Sequence, residues 1–219
     1  MSSPDQDAPP QRDDEDLRQA SVFASGVLAM HGNARLQTIV ERAATLLGTP
    51  IAAISVVDRD RQWFPVSVGL DVDSTSRDVS FCAHAILNPH ETFVVPDASA
   101  DGRFAENRLV TGQLNIRFYA GVPIVTAEGM PLGAICVIDP ASRPSLTAEQ
   151  NAALKQLAAE AVEEIERIEN FRRFGADAIE LIADQIRTAA AREDEDLLLS
   201  LDRILQSVER KLTGGDTAP

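Results

Sequence analysis

Cys82 and His84 stand two residues apart in Ser80-Phe81-Cys82-Ala83-His84-Ala85-Ile86, in a chain with only 2 cysteines and 3 histidines. A thiol and an imidazole this close could ligate a metal, run nucleophilic or redox chemistry, contact a ligand, or pack. Ser80 favours a helix start and Asn88-Pro89 a stop, so the stretch predicts a short helix over residues 81–87. Two steps along a helix turn a side chain by about 200°. Cys82 and His84 therefore cannot readily share one ion, as an i, i+4 pair can. A zinc-type site also needs two more ligands, and only Cys136, His31, His90 and carboxylates remain. We expect no metal site. Cys82 reads as a small packed thiol. His84 reads equally as a ligand contact or as a structural hydrogen-bonding group.

Other candidates lie downstream. Arg117 and Tyr119 alternate with Phe118, so in a strand the first two share one face. An arginine on a partly buried face needs an anion. Asp97 or Asp101 is the expected internal partner, a ligand carboxylate or phosphate the alternative. Phe81 and Phe104 could wall a pocket, although packing is the simpler role for them, as for Trp63 and Phe64. The pocket candidates are thus Phe81, Cys82, His84, Asp97, Phe104, Arg117 and Tyr119. No catalytic residue is assigned.

The elements that must position these residues follow from pattern. Residues 1–13 are acidic and proline-containing with almost nothing apolar to bury, so we expect disorder there. A helix begins near Asp14, capped by Asp13 or Asp14, with Leu17, Val22, Phe23 and Val27 near helical spacing. A second helix carries Leu36, Ile39, Val40, Ala43, Leu46 and Leu47 on one face and stops at Gly48-Thr49-Pro50. Residues 51–57 are β-branched and nearly all apolar, which predicts a central strand. Residues 61–69 read as its antiparallel partner, at an edge or with a bulge because Pro65 lacks an N–H. Residues 70–79 read as a loop. Short strands are expected at 93–95, 116–125 and 132–138, a helical turn at 101–104, and loop or short helix at 107–113. Glu128-Gly129 marks a hairpin turn.

Thr147 with Gln150 fits a capping box opening a long helix. Leu154, Leu157, Ala161, Ile165 and Ile168 step along it as a heptad-like seam, which packs on the chain's own sheet or on a second chain. Gly175 is expected to interrupt the helix. A last helix carries Leu197, Leu201, Ile204, Val208 and Leu212 on one stripe and ends at Gly214-Gly215. It too needs a partner, whether a second chain or a fold-back within this one. The expected fold class is α+β: a central antiparallel sheet of five to six strands with helices packed on it, plus a C-terminal helical extension.

Composition narrows the functions. With 20 Lys+Arg against 34 Asp+Glu the net charge is −14, which disfavours nucleic-acid and anionic-lipid surfaces. No apolar run reaches the roughly 20 residues a membrane span needs. The cysteines lie far apart inside apolar segments, as reduced thiols of a cytoplasmic protein do.

Several blocks, in order, resemble a known family. They are Ile54-Ser55-Val56-Val57-Asp58 with Arg61-Gln62-Trp63-Phe64, Val68-Gly69-Leu70, Ser80 to Ile86, Val94-Val95-Pro96-Asp97-Ala98 and Asp101-Gly102-Arg103-Phe104. Ile116 to Pro123 and Leu132 to Asp139 complete the set. Residues from about 34 to 171 resemble a GAF domain, of the kind found in front of bacterial sensor kinases and cyclic-dinucleotide enzymes. The resemblance implies a sensory, regulatory domain of signal transduction, two-component systems included, with a pocket for a small ligand of unknown identity. It implies no cofactor that can be named. It also implies a homodimer through flanking coiled-coil helices, and relay to a signalling partner. The domain plan is then 1–13 as an acidic tail, 14–171 as the GAF domain, 172–213 as a signalling and dimerisation extension, and 214–219 as a tail. One branch of the family reduces free methionine sulfoxide with cysteines. Its catalytic cysteine would fall near Phe118-Tyr119, where this chain has none, so a redox enzyme or redox sensor here requires Cys82 and Cys136 to meet. A bilin-type attachment is not matched by Phe81-Cys82-Ala83-His84. A ligand-free helical adaptor is the remaining alternative.

Overall fold

A computed structural model describes residues 9–191 and 195–212. The tails expected over 1–8 and 214–219, and the glycine stop at Gly214-Gly215, lie outside the described residues. The chain divides into two units, residues 1–166 and 167–219.

The first unit is built on one antiparallel sheet. Its strands are β1 (Ile51–Val57), β2 (Arg61–Val68), β3 (Ser74–Ser76), β4 (Phe93–Val95), β5 (Phe118–Val125) and β6 (Pro131–Asp139). They lie in the order β3-β2-β1-β6-β5-β4. Every residue of β1 and β6 is buried, as two central strands covered on both faces must be. The strands pair closely enough that a Cβ on Gly133 would fall 1.8 Å from the Ser55 carbonyl oxygen. Pro65 sits at a bulge: β2 is in register with β1 at Val66 opposite Ile54, and the register has shifted by Trp63 opposite Val56. β2 is not an edge strand, because β3 covers Arg61 to Trp63. β3 falls inside the expected loop. Ser74-Thr75-Ser76 has no apolar alternation to announce it, and its pairing is supplied by β2.

Helices cover both faces. α2 (Ala34–Leu47) starts where Asn33 accepts a hydrogen bond from the Leu36 N–H and ends on Gly48 at φ +60°. It buries Leu36, Ile39, Val40, Ala43 and Leu47, while Leu46 faces solvent. α3 (Phe81–Ala85) is shorter than expected and is capped by Ser80, whose Oγ accepts from Ala83 N–H at 3.0 Å. α4 (Arg108–Thr111) is capped by Asn107. α5 (Ala148–Ala191) opens on a complete capping box. Thr147 Oγ1 accepts from the Gln150 N–H, and Gln150 Oε1 accepts from the Thr147 N–H. Its seam from Leu154 to Ile165 is buried within this unit, and ion pairs tie it to α2 through Arg42–Glu160 and Arg35–Glu164.

α1 (Glu15–Ala24) departs from expectation. Asp14 occupies its N-cap position but makes no side-chain cap, pairing instead with Arg12 at 2.7 Å. Leu17 and Phe23 are 64% and 82% exposed, whereas Arg18 is fully buried. The reason is what the helix meets. It docks on strand ends whose carbonyls need donors, and Arg18 supplies them to Val57 O at 2.7 Å and Pro131 O at 3.3 Å. Arg12, from the stretch expected to be disordered, donates to the Ile86 carbonyl at 2.9 Å.

In the second unit, α5 runs through Gly175 without interruption, and α6 (Glu195–Leu212) follows. Ile182 and Leu201 form a small core with Ile186, Leu198, Leu205 and Val208, so the two helices pack on each other within the chain. Phe174, Leu181 and Leu199 stay exposed. No helix among the described residues is long and apolar enough to cross a membrane.

Candidate functional site

Alternation along the strands separates two faces. Ala53 and Cys136 are register partners, as are Ile51 and Ile138, and Gly121 stands opposite Cys136 from the other side. These residues, with Tyr119, share the face covered by α3, where all but Gly121 belong to one apolar core with Phe81, Cys82 and Phe104. Gln62, opposite Val57, and Thr75, opposite Gln62, fall on the same face.

A pocket opens there. Gln62, Phe64, Thr75, Phe81, Leu109 and Tyr119 contribute to its lining, and Val72, which is half-exposed, stands at its mouth. Its volume is ≈ 20 Å³, room for little more than one water-sized body. No charged side chain lines it. Two of its lining residues, Gln62 and Thr75, carry side-chain oxygens, Oε1 and Oγ1, that are buried without a hydrogen-bond partner. Such orphaned groups are costly, each by about 1–3 kcal/mol.

Immediately behind Gln62 and Tyr119 lies Cys82. Tyr119 Oη donates to its Sγ at 3.1 Å, and Gln62 Nε2 donates at 3.4 Å. Cys136 shares this core and lies near enough to shift the ionisation of the same sulfur, and the buried Ser55 hydroxyl beside it has no hydrogen-bond partner. Burial pushes the Cys82 thiol up, but its neighbours Cys136, Ser55 and Tyr119 outweigh it and hold Cys82 below the ordinary thiol range. Cys136 goes the other way: the nearby Cys82 and its own burial raise it well above that range. Tyr119 is raised as well, by burial and then by the neighbouring sulfurs. Of the two thiols, Cys82 ionises first. Both are free and fully buried. Gly121 makes the geometry feasible, because a Cβ there would stand 2.2 Å from Tyr119 Oη.

Three of the remaining sequence candidates gather at one border of this core. Phe81 stacks on Phe104 with ring centroids 4.0 Å apart, and His84 meets Phe104 edge-on at 4.8 Å. Arg103 lies over Phe104 and Phe93 and pairs with Asp101 at 2.6 Å. Burial, followed by the Arg103 charge, pulls His84 down to about 4, so the imidazole is neutral at pH 7. Asp97 and Arg117 do not join them. The expected ion pair of Arg117 with Asp97 or Asp101 is not formed. Arg117 donates to the Val110 and Ile116 carbonyls at 3.1 and 3.0 Å, Asp97 accepts from Ser99, and Asp101 is taken by Arg103. α4 and the loop ahead of β5 each leave a carbonyl facing the guanidinium, and these satisfy it. Among the described residues no group of three or more His, Cys, Asp or Glu converges as a metal ion requires.

Sequence reasoning passed over Gln62, Ser55 and Thr75. Two of them carried a signal: Ser55 is the single polar residue in Ile51–Val57, and Gln62 stands beside Trp63 in a strand. Thr75 carried none, since β3 was not foreseen.

Comparison with known proteins agrees with this architecture. The model of the GAF domain family matches residues 31–165. A cyclic di-GMP phosphodiesterase of Pseudomonas aeruginosa is 45% identical over 150 residues, which is 68% of this chain and 25% of that protein. The chain thus corresponds to a quarter of the length of that relative. Among solved structures, the PixJ GAF domain of Thermosynechococcus elongatus in its blue-light absorbing form superposes with a TM-score of 0.55 at 15% identity, covering 73% of this chain and 95% of that one. A free methionine-R-sulfoxide reductase of Thermoplasma acidophilum gives 0.50 at 14% identity, over 61% of this chain and 92% of that one. At such identities the likeness is one of fold. With its antiparallel sheet, its helices on both faces and a family match over residues 31–165, the chain belongs to the GAF domain family.

Proposed function

We propose that the chain is a sensory GAF module of cytoplasmic signal transduction. It binds a small uncharged ligand at the pocket beside Gln62 and relays occupancy to a signalling partner through the helices from 172 to 213. The observation that carries the ligand is that two residues of an otherwise apolar lining, Gln62 and Thr75, hold orphaned side-chain oxygens, Oε1 and Oγ1. An apolar body with one hydrogen-bonding group suits them. A phosphate-bearing molecule does not, since no cation lines the pocket. Cyclic di-GMP turnover, which the Pseudomonas relative's name assigns to that protein, is therefore proposed as the output of the partner and not as the ligand. Leu70 and Val72 are loop residues, and their displacement is what admits a body larger than water. The exposed Phe171, Phe174 and Leu181 on α5 support a homodimer through the helical extension.

The stacking of Phe81 on Phe104 favours a second reading, in which the pocket stays shut and the helices alone recruit the partner. Native mass spectrometry of the chain purified from its own host separates the two. The sensor reading expects a dimer that retains a small neutral molecule, lost on substituting Gln62→Leu. A ligand-free dimer, unmoved in thermal melting by any neutral apolar compound, supports the adaptor. A ligand-free monomer contradicts both.

A further inference from the structure

Two thiols, a phenol, an amide and a hydroxyl meet in the core of the first unit, and ligand binding at the pocket uses neither sulfur. Cys82 opens α3 and Cys136 lies in the middle of β6, 54 positions later in the sequence. The fold places both in one buried core, near enough that each shifts the other's ionisation. Cys82 takes donors from Tyr119 and Gln62, with Cys136 and Ser55 beside it. A sulfur that only fills space is not supplied with donors from two strands. This arrangement suits a thiolate, and the neighbouring thiol suits the group that resolves its oxidised form. Neither sulfur touches solvent, yet both Tyr119 and Gln62 are pocket walls as well as Cys82 partners. The pocket has room for little more than one water-sized body, so with the displacement of Leu70 and Val72 hydrogen peroxide is among the smallest reagents it would admit.

We propose that Cys82 and Cys136 are a redox modification site, closing into an intramolecular disulfide when a small peroxide enters through the pocket. The Cys82 thiolate attacks one peroxide oxygen, the O–O bond breaks, and the leaving hydroxide takes a proton to become water. Cys82 is then a sulfenic acid. The Cys136 sulfur attacks the Cys82 sulfur and the S–O bond breaks. The departing hydroxide leaves as the second water with the proton that Cys136 gives up. Two thiols lose two electrons and two protons, and the peroxide is reduced to two waters. The new bond ties the start of α3 to β6. It also takes from Tyr119 and Gln62 the acceptor they share, so the oxidation state is transmitted to two pocket walls. The disulfide itself does not depend on the pocket holding a ligand.

The test uses the full reduced chain. It is exposed to hydrogen peroxide under native conditions, quenched with an alkylating reagent in denaturant, and mapped by mass spectrometry with and without reductant. A Cys82–Cys136 linked peptide, reversed by reductant, is expected in the wild type. Cys136→Ser is expected to stop at a Cys82 sulfenic acid that a dione reagent traps, and Cys82→Ser to leave Cys136 as a thiol at the same peroxide dose. Tyr119→Phe is expected to move the pH midpoint of the oxidation rate up by about one unit, slowing it roughly tenfold below that midpoint. A merely structural role for the hydroxyl would leave that midpoint in place. The wild-type measurement needs no variant to fold, and circular dichroism checks the variants. Two alkylatable thiols in the folded chain after peroxide treatment, with a denatured control that does oxidise, overturn the proposal. So does a disulfide that joins two chains, or equal oxidation of Cys136 with Cys82 removed.

Discussion

Two buried polar clusters hold opposite ends of one short segment, and they are built on different principles. Arg77 belongs to the first, Cys82 to the second. The first is ionic. Glu15 accepts from Arg18, Gln19 and Arg77 at 2.6–2.9 Å, and the two guanidiniums spend further donors on strand-end carbonyls. Every one of these charges is paired and hydrogen-bonded, as a buried charge must be. The second cluster, around Cys82, is neutral in its partners and keeps unpaired atoms at Gln62 and Ser55. A saturated network can only hold the fold. A network with spare hydrogen-bonding capacity beside a pocket has something left to do, because each orphaned atom raises the energy of the empty state relative to an occupied one.

The contrast can be broken from its ionic side first. Arg18→Ala strips a fully buried partner from Glu15 and two strand-end carbonyls, and is expected to cost about 3–5 kcal/mol of unfolding free energy, read as a fall in urea midpoint. If the loss is below 1 kcal/mol, the cluster is not what fastens α1. Glu15→Gln is expected to cost about 2 kcal/mol at pH 7, since it removes charge-assisted hydrogen bonds while keeping the shape. Its pH signature is sharper. Burial raises the Glu15 carboxyl, but hydrogen bonds from Arg18, Arg77 and Gln19 prevail and depress it far below the usual range. The stability it gives is therefore present above the unfolded value of about 4.3 and is lost as pH falls below it. Urea midpoints of the wild type and Glu15→Gln should converge on acidification. Parallel curves would show that the carboxylate is not the titrating element.

On the neutral side the expected effects are smaller. Gly121→Ala forces a Cβ to 2.2 Å from Tyr119 Oη and is expected to destabilise by about 1–3 kcal/mol. Tyr119→Phe alone should cost about 1 kcal/mol. In the Tyr119→Phe background the glycine substitution should cost less, though not zero, because the ring itself would still lie 2.8–3.0 Å away. Additive losses in that double-mutant cycle would place the Tyr119 hydroxyl elsewhere. At neutral pH the smallest effect belongs to His84, whose contribution appears only in acid. Its folded pKa of about 4 lies below the ordinary 6.5, so the fold binds fewer protons than the unfolded chain between these values. Stability should fall as pH drops from 6.5 towards 4, and His84→Gln should flatten that slope. An imidazole NMR titration near 6.5 would mean that the ring is not held in the aromatic border.

Much of the frame was legible before any coordinates. The apolar run of Ile51–Val57, the stop at Gly48-Thr49-Pro50, and the Thr147/Gln150 box each act through local forces, and all three formed as their residues specify. What failed did so where a neighbour, not the local pattern, made the decision. Ser74–Ser76 became a strand because β2 offered it an edge. Leu17 lost its place in the core to Arg18 because unsatisfied carbonyls outrank one more methyl cluster at that surface. Arg117 found carbonyls where a carboxylate was expected.

The same division runs through the candidate site. The sequence by itself marked Ser80 to Ile86 as a capped helix, placed Tyr119 in a strand, and assigned Cys82 and Cys136 to apolar segments, since helix caps and strand alternation depend on residues close in the chain. Only the tertiary structure decided that the two thiols meet, that Tyr119 and Gln62 reach the same sulfur, and that Gly121 leaves the space for it. Those contacts span from 20 to 54 positions in sequence, and their geometry is set by the pairing of β1, β2, β5 and β6 beneath α3. Sheet register and helix docking are long-range choices, fixed by burying one face against another, and no local pattern around any one of these residues contains them.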